Sequence, residues 1–186
     1  MTEAEIRDGC RRGDRKAQRE LYAQTSARIH RILLRITRDS EAALDLAQVT
    51  YLKAFSRIGQ FDGRAALATW LHRIAVTEAL QYLRSQGRNA VATATPTEAV
   101  DSARGNLAAD VRMDVDDALA LLDPVDRAML LLHYDAGHDY RAMAEILDCA
   151  EGTVASRLHR ARERLRLVLK NSYSLEEDAS SAHQIQ

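Results

Sequence analysis

The sequence predicts an all-α protein that consists of two small helical domains joined by a flexible linker. Apolar residues recur at three- and four-residue spacing along most of the chain, which is the period of an amphipathic helix. Only two prolines occur in 186 residues, and aromatic residues make up 5% of the chain. Leu, Ala and Arg are abundant and favour helices over sheets. We therefore expect helices that pack through aliphatic side chains.

Eight helices follow from this periodicity and from the capping and turn residues between the periodic segments. In the N-terminal half they are predicted at about 4–11, 15–37, 40–58 and 65–84. In the C-terminal half they are predicted at about 113–122, 125–136, 140–147 and 151–170. On the third helix, Leu44 is expected in the buried stripe together with Tyr51 and Phe55.

The composition changes after Gly87 and divides the chain. Residues 89–112 are rich in Ala, Thr, Ser and Asp, and their periodicity is weak, so we interpret them as a flexible linker. The domains on either side are predicted at 1–88 and 113–170, and a long loop within one domain is the alternative. Residues 171–186 are polar and lack a pattern, so we expect a disordered tail there.

Charge is segregated along the chain. The net charge is −1, yet residues 1–90 carry +6, residues 91–126 carry −6 and residues 127–170 carry +2. Phosphate binding depends on the local positive potential, so the nearly neutral total does not exclude a nucleic-acid partner.

Several kinds of function are disfavoured by what the sequence lacks. It has no apolar run that could span a bilayer and no secretory signal. It has no glycine-rich nucleotide loop and no sequence motif for a zinc protease or a catalytic triad. Cys10 and Cys149 lie far apart, and His133 and His138 lack further ligands at metal spacing. We therefore expect a cytoplasmic protein that is not an enzyme, does not enter a membrane and needs no cofactor or metal.

A helix-turn-helix pattern is the sharpest local feature. Helix 140–147, a three-residue turn and the helix that begins at Glu151 have the lengths typical of this DNA-binding motif. The second helix buries a stripe that includes Val154 and Leu158 and presents arginines on another face. Its first turn carries small residues that allow a close approach to a major groove. A solvated, arginine-rich face on a core helix is the alternative interpretation.

Both halves of the chain resemble a known family. Residues 137–147 read Gly-His-Asp-Tyr-Arg-Ala-Met-Ala-Glu-Ile-Leu, and residues 156–162 read Ser-Arg-Leu-His-Arg-Ala-Arg. In the N-terminal half, residues 45–48 read Asp-Leu-Ala-Gln, and residues 69–75 read Thr-Trp-Leu-His-Arg-Ile-Ala. These segments resemble regions four and two, respectively, of extracytoplasmic-function (ECF) sigma factors, a group of the bacterial sigma-70 family. Two matches in the order of the family's regions are stronger evidence for the resemblance than either match alone.

The resemblance implies a promoter-recognition factor that catalyses no reaction. In this family, region two docks on a coiled coil of the beta-prime subunit of RNA polymerase and helps to open the minus-ten element. Region four sits on the flap of the beta subunit and reads the minus-thirty-five element. Many members are held inactive by an anti-sigma factor. The expected partners are therefore core polymerase, promoter DNA and an anti-sigma factor.

The resemblance also assigns residues to three surfaces. Core-polymerase binding is expected at Asp45, Gln48, Val49 and Leu52. Contacts to the minus-ten element are expected at Arg64, Trp70, Arg73, Thr77 and Arg84. Contacts to the minus-thirty-five element are expected at Gly152, Thr153, Ser156, Arg157, His159 and Arg160. Trp70 has a second interpretation, as an anchor between helices, because it lies on an apolar stripe.

Three positions depart from the common family pattern. Val49 stands where Glu is usual, which removes a charged contact to polymerase; the alternative is that Val49 packs against an apolar part of this partner. Thr77 stands where Asn is frequent and offers a single hydroxyl instead of an amide, so we expect an unusual minus-ten preference. Ala155 stands where many members have Lys or Arg, which leaves direct readout to the neighbouring polar residues.

Three hypotheses follow from the sequence. The first is a sigma factor of ECF type. The second is a helix-turn-helix regulator that no longer binds polymerase, which the substitution at Val49 mildly supports. The third is a helical protein-interaction module with solvated charged faces, which predicts no salt-sensitive DNA binding.

Overall fold

The computed structural model describes residues 1–93 and 115–182, and within these two ranges it contains helices and no β-strand. The helices are α1 Glu3–Arg11, α2 Arg15–Thr37, α3 Ser40–Arg57, α4 Leu67–Thr93, α5 Val115–Ala120, α6 Pro124–Tyr134, α7 Tyr140–Leu147 and α8 Glu151–Ala182. A short 3-10 turn, Ile58–Gln60, follows α3. The all-α prediction is confirmed.

Short polar side chains at the helix starts explain why several helices begin where they do. Thr2 and Glu5 form a reciprocal capping box on α1. Aspartates cap four further helices by accepting hydrogen bonds from backbone N–H groups of the first turn: Asp14, Asp39, Asp123 and Asp139. Such a cap satisfies N–H groups that have no partner within the helix and typically contributes about 1 kcal/mol.

The N-terminal unit is built around α2, which contacts α1, α3 and α4. Ile29, Ile32 and Ile36 on α2 are completely buried and form the centre of this core. α1 approaches α2 most closely at Gly9, where a β-carbon would lie only 2.5 Å from Cβ of Ala17. This crossing therefore requires glycine.

The C-terminal unit packs α8 against α6 and α7. Val154, Leu158 and Ala161 on α8 are completely buried, and they share this core with Met129 of α6 and Met143 of α7. The four- and three-residue steps between the α8 residues place them on one side of the helix, as the sequence predicts.

Two helices extend beyond their predicted ends. α4 continues to Thr93 instead of ending near Arg84, and α8 continues to Ala182, whereas the sequence predicts disorder from residue 171 onward. Residues 171–182 contain Leu, Glu and Ala and no glycine or proline, so nothing in them ends a helix. Residues 94–112 of the predicted linker and 183–186 of the predicted tail lie outside the described residues.

The two units pack against each other, with α7 on α4 and α6 on α2. Arg127 of α6 is buried at this junction. Its guanidinium donates to the carbonyl oxygens of Leu119, Ala120 and Leu122 within the C-terminal unit. Its Nη1 also donates, at 2.7 Å, to the carbonyl oxygen of Ile36 near the end of α2. One buried charge therefore satisfies main-chain acceptors of both units.

The segregated charges meet at this junction. Nη2 of Arg35 lies 2.6 Å from the carboxylate of Asp116, and Nη2 of Arg38 lies 3.1 Å from that of Asp117. Nη1 of Arg35 also lies 3.7 Å from the carboxylate of Asp135. The pair of Arg38 with Asp117 is exposed, and such pairs contribute about 0–1 kcal/mol, whereas Arg35 and Asp135 are partly buried.

A pair of histidines lies where the units meet. Nε2 of His138 is 2.7 Å from Nδ1 of His72 on α4, and the two rings are nearly perpendicular. Burial lowers the pKa of His72 to about 3, and the neighbouring His138 and Arg28 act in the same direction. Burial also lowers the pKa of His138. Both rings are therefore neutral in the docked protein near pH 7.

We expect docking of the two units to weaken as the pH falls below about 6.5, the ordinary pKa of histidine. A histidine whose pKa is lowered by docking binds fewer protons in the docked form, so acid favours separation. The contribution of the neutral histidines to docking is complete above the ordinary pKa, and it is lost as the pH falls toward about 3, the pKa of docked His72. Acrylamide quenching of Trp70, the single tryptophan, checks this, because Trp70 and Ile146 of α7 line one cleft.

In the wild-type protein, quenching of Trp70 should increase as the pH is lowered from about 7.5 to about 5.5. The double variant His72→Gln/His138→Gln titrates at neither position and should lose most of this dependence. Equal quenching of the wild-type protein at both pH values would contradict the prediction.

Candidate nucleic-acid interface

The exposed side of α8 is fixed by its buried side. Val154, Leu158 and Ala161 face α6 and α7, so the opposite side of the first three turns faces solvent. Five of the six residues expected at the minus-thirty-five element are exposed there: Gly152, Thr153, Ser156, His159 and Arg160. The structure therefore brings these five residues together on one surface of the helix-turn-helix unit.

Arg157, the sixth residue of this group, is only half-exposed and is held by carboxylates. Its Nε donates to Asp126 at 2.8 Å, and its Nη2 donates to Asp123 at 3.3 Å. Nη1 of Arg164, two turns further along α8, donates to the other oxygen of Asp126 at 2.7 Å. Arg160 differs from both, because its Nε donates to the carbonyl oxygen of Ser156 on its own helix, at 3.4 Å, and not to a carboxylate. Sequence reasoning did not find the role of Asp126, which no local pattern indicates.

The turn between α7 and α8 has the geometry that a helix-turn-helix requires. Asp148 ends α7 with φ of 53°, in the left-handed region, and its N–H donates to the carbonyl oxygen of Ala144. Aspartate tolerates this region better than most residues other than glycine. Cys149 follows, half-buried against the core, and burial raises the pKa of its thiol. This cysteine is therefore a packing residue.

The residues expected at the minus-ten element surround two neighbouring clefts between α4 and α7. The first cleft is lined by three of them: Arg64, Trp70 and Arg73. The second is lined by four of them: Trp70, Arg73, Thr77 and Arg84. Ile146 of α7 lines both clefts. All five residues are thus placed on one side of the N-terminal unit, next to the helix-turn-helix.

α7 lies over part of this surface. Nη2 of Arg73 is 3.6 Å from the carboxylate of Asp148, which joins α4 to the turn after α7. The ring of Trp70 lies 5.3 Å from the ring of Phe61, so Trp70 both packs on the core and lines the clefts. Glu78, beside Thr77, forms a 2.6 Å ion pair with Lys53 of α3. The negative charge of Glu78 is therefore balanced within the unit.

The residues expected to bind polymerase lie on the outward side of α3. Asp45, Gln48 and Leu52 are exposed, and Val49 is half-exposed. Leu52 exposes 70% of its surface. These four residues, at three- and four-residue steps, form one surface with a mixture of polar and apolar character.

Leu44 adds to this surface, because 56% of it is exposed. The prediction that Leu44 belongs to the buried stripe is wrong. Leu46 is buried in its place, since the helix turns Ala43 and Leu46 toward α2 and α4. Tyr22 on α2 is another exposed apolar side chain, and its ring lies 4.8 Å from that of Tyr51 on α3. Leu44 lies one position beyond the stripe that Ala43 and Leu46 form, and this offset could have identified Leu44 as an exposed apolar residue.

Two further features are absent from the described residues. Their side chains contain no group of three or more His, Cys, Asp or Glu residues that could hold a metal ion. None of the described helices combines the length and the apolar character needed to cross a membrane.

Comparison with protein families gives two matches in the same order as the two units. Residues 21–89 match the Sigma-70 region 2 family, and residues 112–165 match the Sigma-70, region 4 family. The chain is 30% identical over 165 residues to the RNA polymerase sigma-H factor of Pseudomonas aeruginosa, which covers 82% of this chain and 86% of that protein. It is 30% identical over 176 residues to the ECF RNA polymerase sigma-E factor of Haemophilus influenzae, with 88% and 93% covered.

Solved structures show the same fold. The sigma factor RpoE in complex with the anti-sigma factor NepR, from Bartonella quintana, matches with a TM-score of 0.66 and 26% identity, over 82% of this chain and 96% of that one. CnrH in complex with the cytosolic domain of CnrY matches with a TM-score of 0.68 and 19% identity, over 91% and 97%. The second likeness concerns the fold alone.

We expect Leu52→Ser to change the free energy of unfolding by less than about 0.5 kcal/mol, because the side chain is exposed. Leu46→Ser, six residues earlier on the same helix, should cost about 2–4 kcal/mol, because it empties a buried site and places a hydroxyl there. Urea denaturation followed by circular dichroism measures both. Similar losses for the two variants would show that Leu52 is packed against the protein.

Proposed function

Because the chain belongs to the ECF group of the sigma-70 family of RNA polymerase sigma factors, we propose that it binds core polymerase through α3 and reads the two promoter elements through α4 and α8. Sigma factors of this family direct polymerase to promoters, and the polymerase carries out the synthesis of RNA.

The face of α8 is the observation that carries the proposal. Ser156, His159 and Arg160 are exposed together, and the buried stripe on the opposite side holds the helix in the position of a recognition helix. Arg160 is exposed and has free donors for a bidentate contact with guanine, and Ser156 and His159 add further hydrogen-bonding groups.

The α3 face suits a partner that is partly apolar. Leu44 and Leu52 are exposed beside Asp45 and Gln48, which resembles the apolar centre and polar rim of protein interfaces. Val49 continues the apolar area between them. The departure from Glu at this position therefore supports a more apolar contact with polymerase, and it weakens the case for a regulator that has lost polymerase binding.

Opening of the docked arrangement is part of the proposal. Ile146 and Asp148 line the clefts around Trp70, Arg73 and Thr77, so α7 occupies space that a melted minus-ten strand needs. We infer that the helix-turn-helix unit moves away from α4 when promoter DNA is bound. An anti-sigma factor is the third proposed partner, on the grounds that the similar RpoE structure was solved with one.

Reconstitution with bacterial core polymerase, followed by genome-wide mapping of transcription starts, tests this function. We expect a set of starts that share two spaced elements and that are absent without the protein. Leu52→Ser, which we expect to leave the fold intact, should weaken capture of core polymerase and reduce all of these starts together. DNA binding without transcription would favour the regulator hypothesis, and no salt-sensitive DNA binding would favour the interaction module.

In the same assay, a Thr77→Asn variant with an unchanged minus-ten consensus would contradict a role for Thr77 in base choice.

Arg160→Ala should weaken binding to the upstream element found in that map by about 1–3 kcal/mol, because one base contact is lost. Arg166→Ala is the matched control, since Arg166 is an exposed arginine on the same helix that is not expected to face DNA bases. Fluorescence anisotropy at one fixed salt concentration measures both variants. The role of Arg160 is rejected if the two variants bind equally well.

A further inference from the structure

We propose that Asp126 is a positioning residue that holds Arg157 and Arg164 on the recognition helix, so that these two arginines contact the DNA backbone in one orientation and Arg160 is left to read bases. This inference rests on the proposed function and goes beyond it. It assigns separate tasks to arginines that the sequence presents as one basic face.

The position of Asp126 is unusual for an acidic residue. It exposes only 2% of its surface, yet it lies in the first turn of α6, beside the recognition helix. A carboxylate with so little access to water needs charged or hydrogen-bonded partners. The positive end of the α6 dipole contributes to holding its negative charge there.

Both carboxylate oxygens of Asp126 are used by α8. Oδ1 accepts from Nε of Arg157 at 2.8 Å, and Oδ2 accepts from Nη1 of Arg164 at 2.7 Å. The two arginines are seven residues apart, which is close to two helical turns, so they lie on the same side of α8. Charge-assisted hydrogen bonds of this length fix the direction of a guanidinium more firmly than an exposed ion pair does.

The remaining donors decide what each arginine can contact. Nε and Nη2 of Arg157 donate to Asp126 and Asp123, so the edge of the guanidinium that carries both nitrogens is occupied. Arg164 keeps more of its donors, and its side chain is 59% exposed. Each arginine has further N–H groups besides these donors, and both residues lie at the border of the exposed α8 face. A phosphate can use single donors in fixed places, whereas guanine is read best by a free pair of donors.

The carboxylate also limits the positive charge of this border. One negative charge is shared by two guanidiniums, so the local charge that phosphates meet is lower than the arginine count suggests. Phosphate contacts strengthen binding to every sequence, while base contacts strengthen binding to one. Asp126 therefore lowers affinity for unrelated DNA while it maintains the register of the helix on its target.

Asp126→Asn tests this directly in the full chain bound to core polymerase. The probes are a duplex that carries the upstream element from the start map and a scrambled duplex of the same composition. We expect tighter binding to the scrambled duplex, and a slope of log affinity against log salt that is steeper by about one. The preference for the cognate duplex over the scrambled one should fall roughly tenfold, because Arg157 and Arg164 lose their fixed orientation.

Asp139→Asn is the matched control, because Asp139 is exposed and its carboxylate caps α7 instead of binding an arginine of α8. The variant removes one negative charge from the same unit, and the amide oxygen can still cap α7. It should preserve the preference for the cognate duplex. An Asp126→Asn variant that loses affinity for both duplexes by the same factor, with an unchanged salt slope, would show that Asp126 only supports the fold and would overturn the proposal.

If Asp126→Asn does not fold, the variants Arg157→Gln and Arg164→Gln test the proposed role of the two arginines. Each should weaken binding to both duplexes by a similar factor and reduce the salt slope by about one. Arg160→Ala should lower affinity for the cognate duplex alone. The proposal fails if Arg157→Gln abolishes the sequence preference as completely as Arg160→Ala does. A wild-type protein that prefers neither duplex would instead reject the proposed function itself.

Discussion

A buried guanidinium at the junction of the two units is the constraint on which the rest of the structure depends. Arg127 donates to carbonyl groups that precede α6 and to the carbonyl of Ile36 in α2. It thereby fixes how α6 lies on the N-terminal unit. Asp126 precedes Arg127 in the first turn of α6, and its carboxylate accepts a hydrogen bond from Arg157 on α8. Main-chain and carboxylate contacts therefore connect α2 of the N-terminal unit to α8.

Local signals were sufficient wherever a helix is defined by its own sequence. The bounds of α2 and α7 agree with prediction, because an aspartate caps each start and a residue in the left-handed conformation ends each helix. The buried stripe of α8 was equally predictable, since three- and four-residue steps place apolar side chains on one side whatever they pack against. For the same reason the exposed face of α8, and with it most of the expected minus-thirty-five residues, followed from periodicity and the family resemblance.

Contacts between distant residues could not be predicted in this way. His72 and His138 are 66 residues apart and belong to different units, so no periodic pattern connects them. Periodicity states which side of a helix is apolar, but it does not state which helix covers that side. This explains why Leu44 was placed in the core although its neighbour Leu46 occupies that position. The burial of Asp126 escaped prediction because an acidic residue in a first helical turn is usually solvated and only the fold brings α8 over it.

The contacts of α5 with α2 have a consequence for how the protein meets a polyanion. Asp116 and Asp117 lie against Arg35 and Arg38, so the acidic helix acts as a built-in counterion for basic side chains of the N-terminal unit. A counterion that is tethered to the same chain does not dilute away, and its effective concentration is far above that of a free anion. A polyanion on this side of α2 would compete with Asp116 and Asp117 for Arg35 and Arg38, and the released carboxylates would repel it.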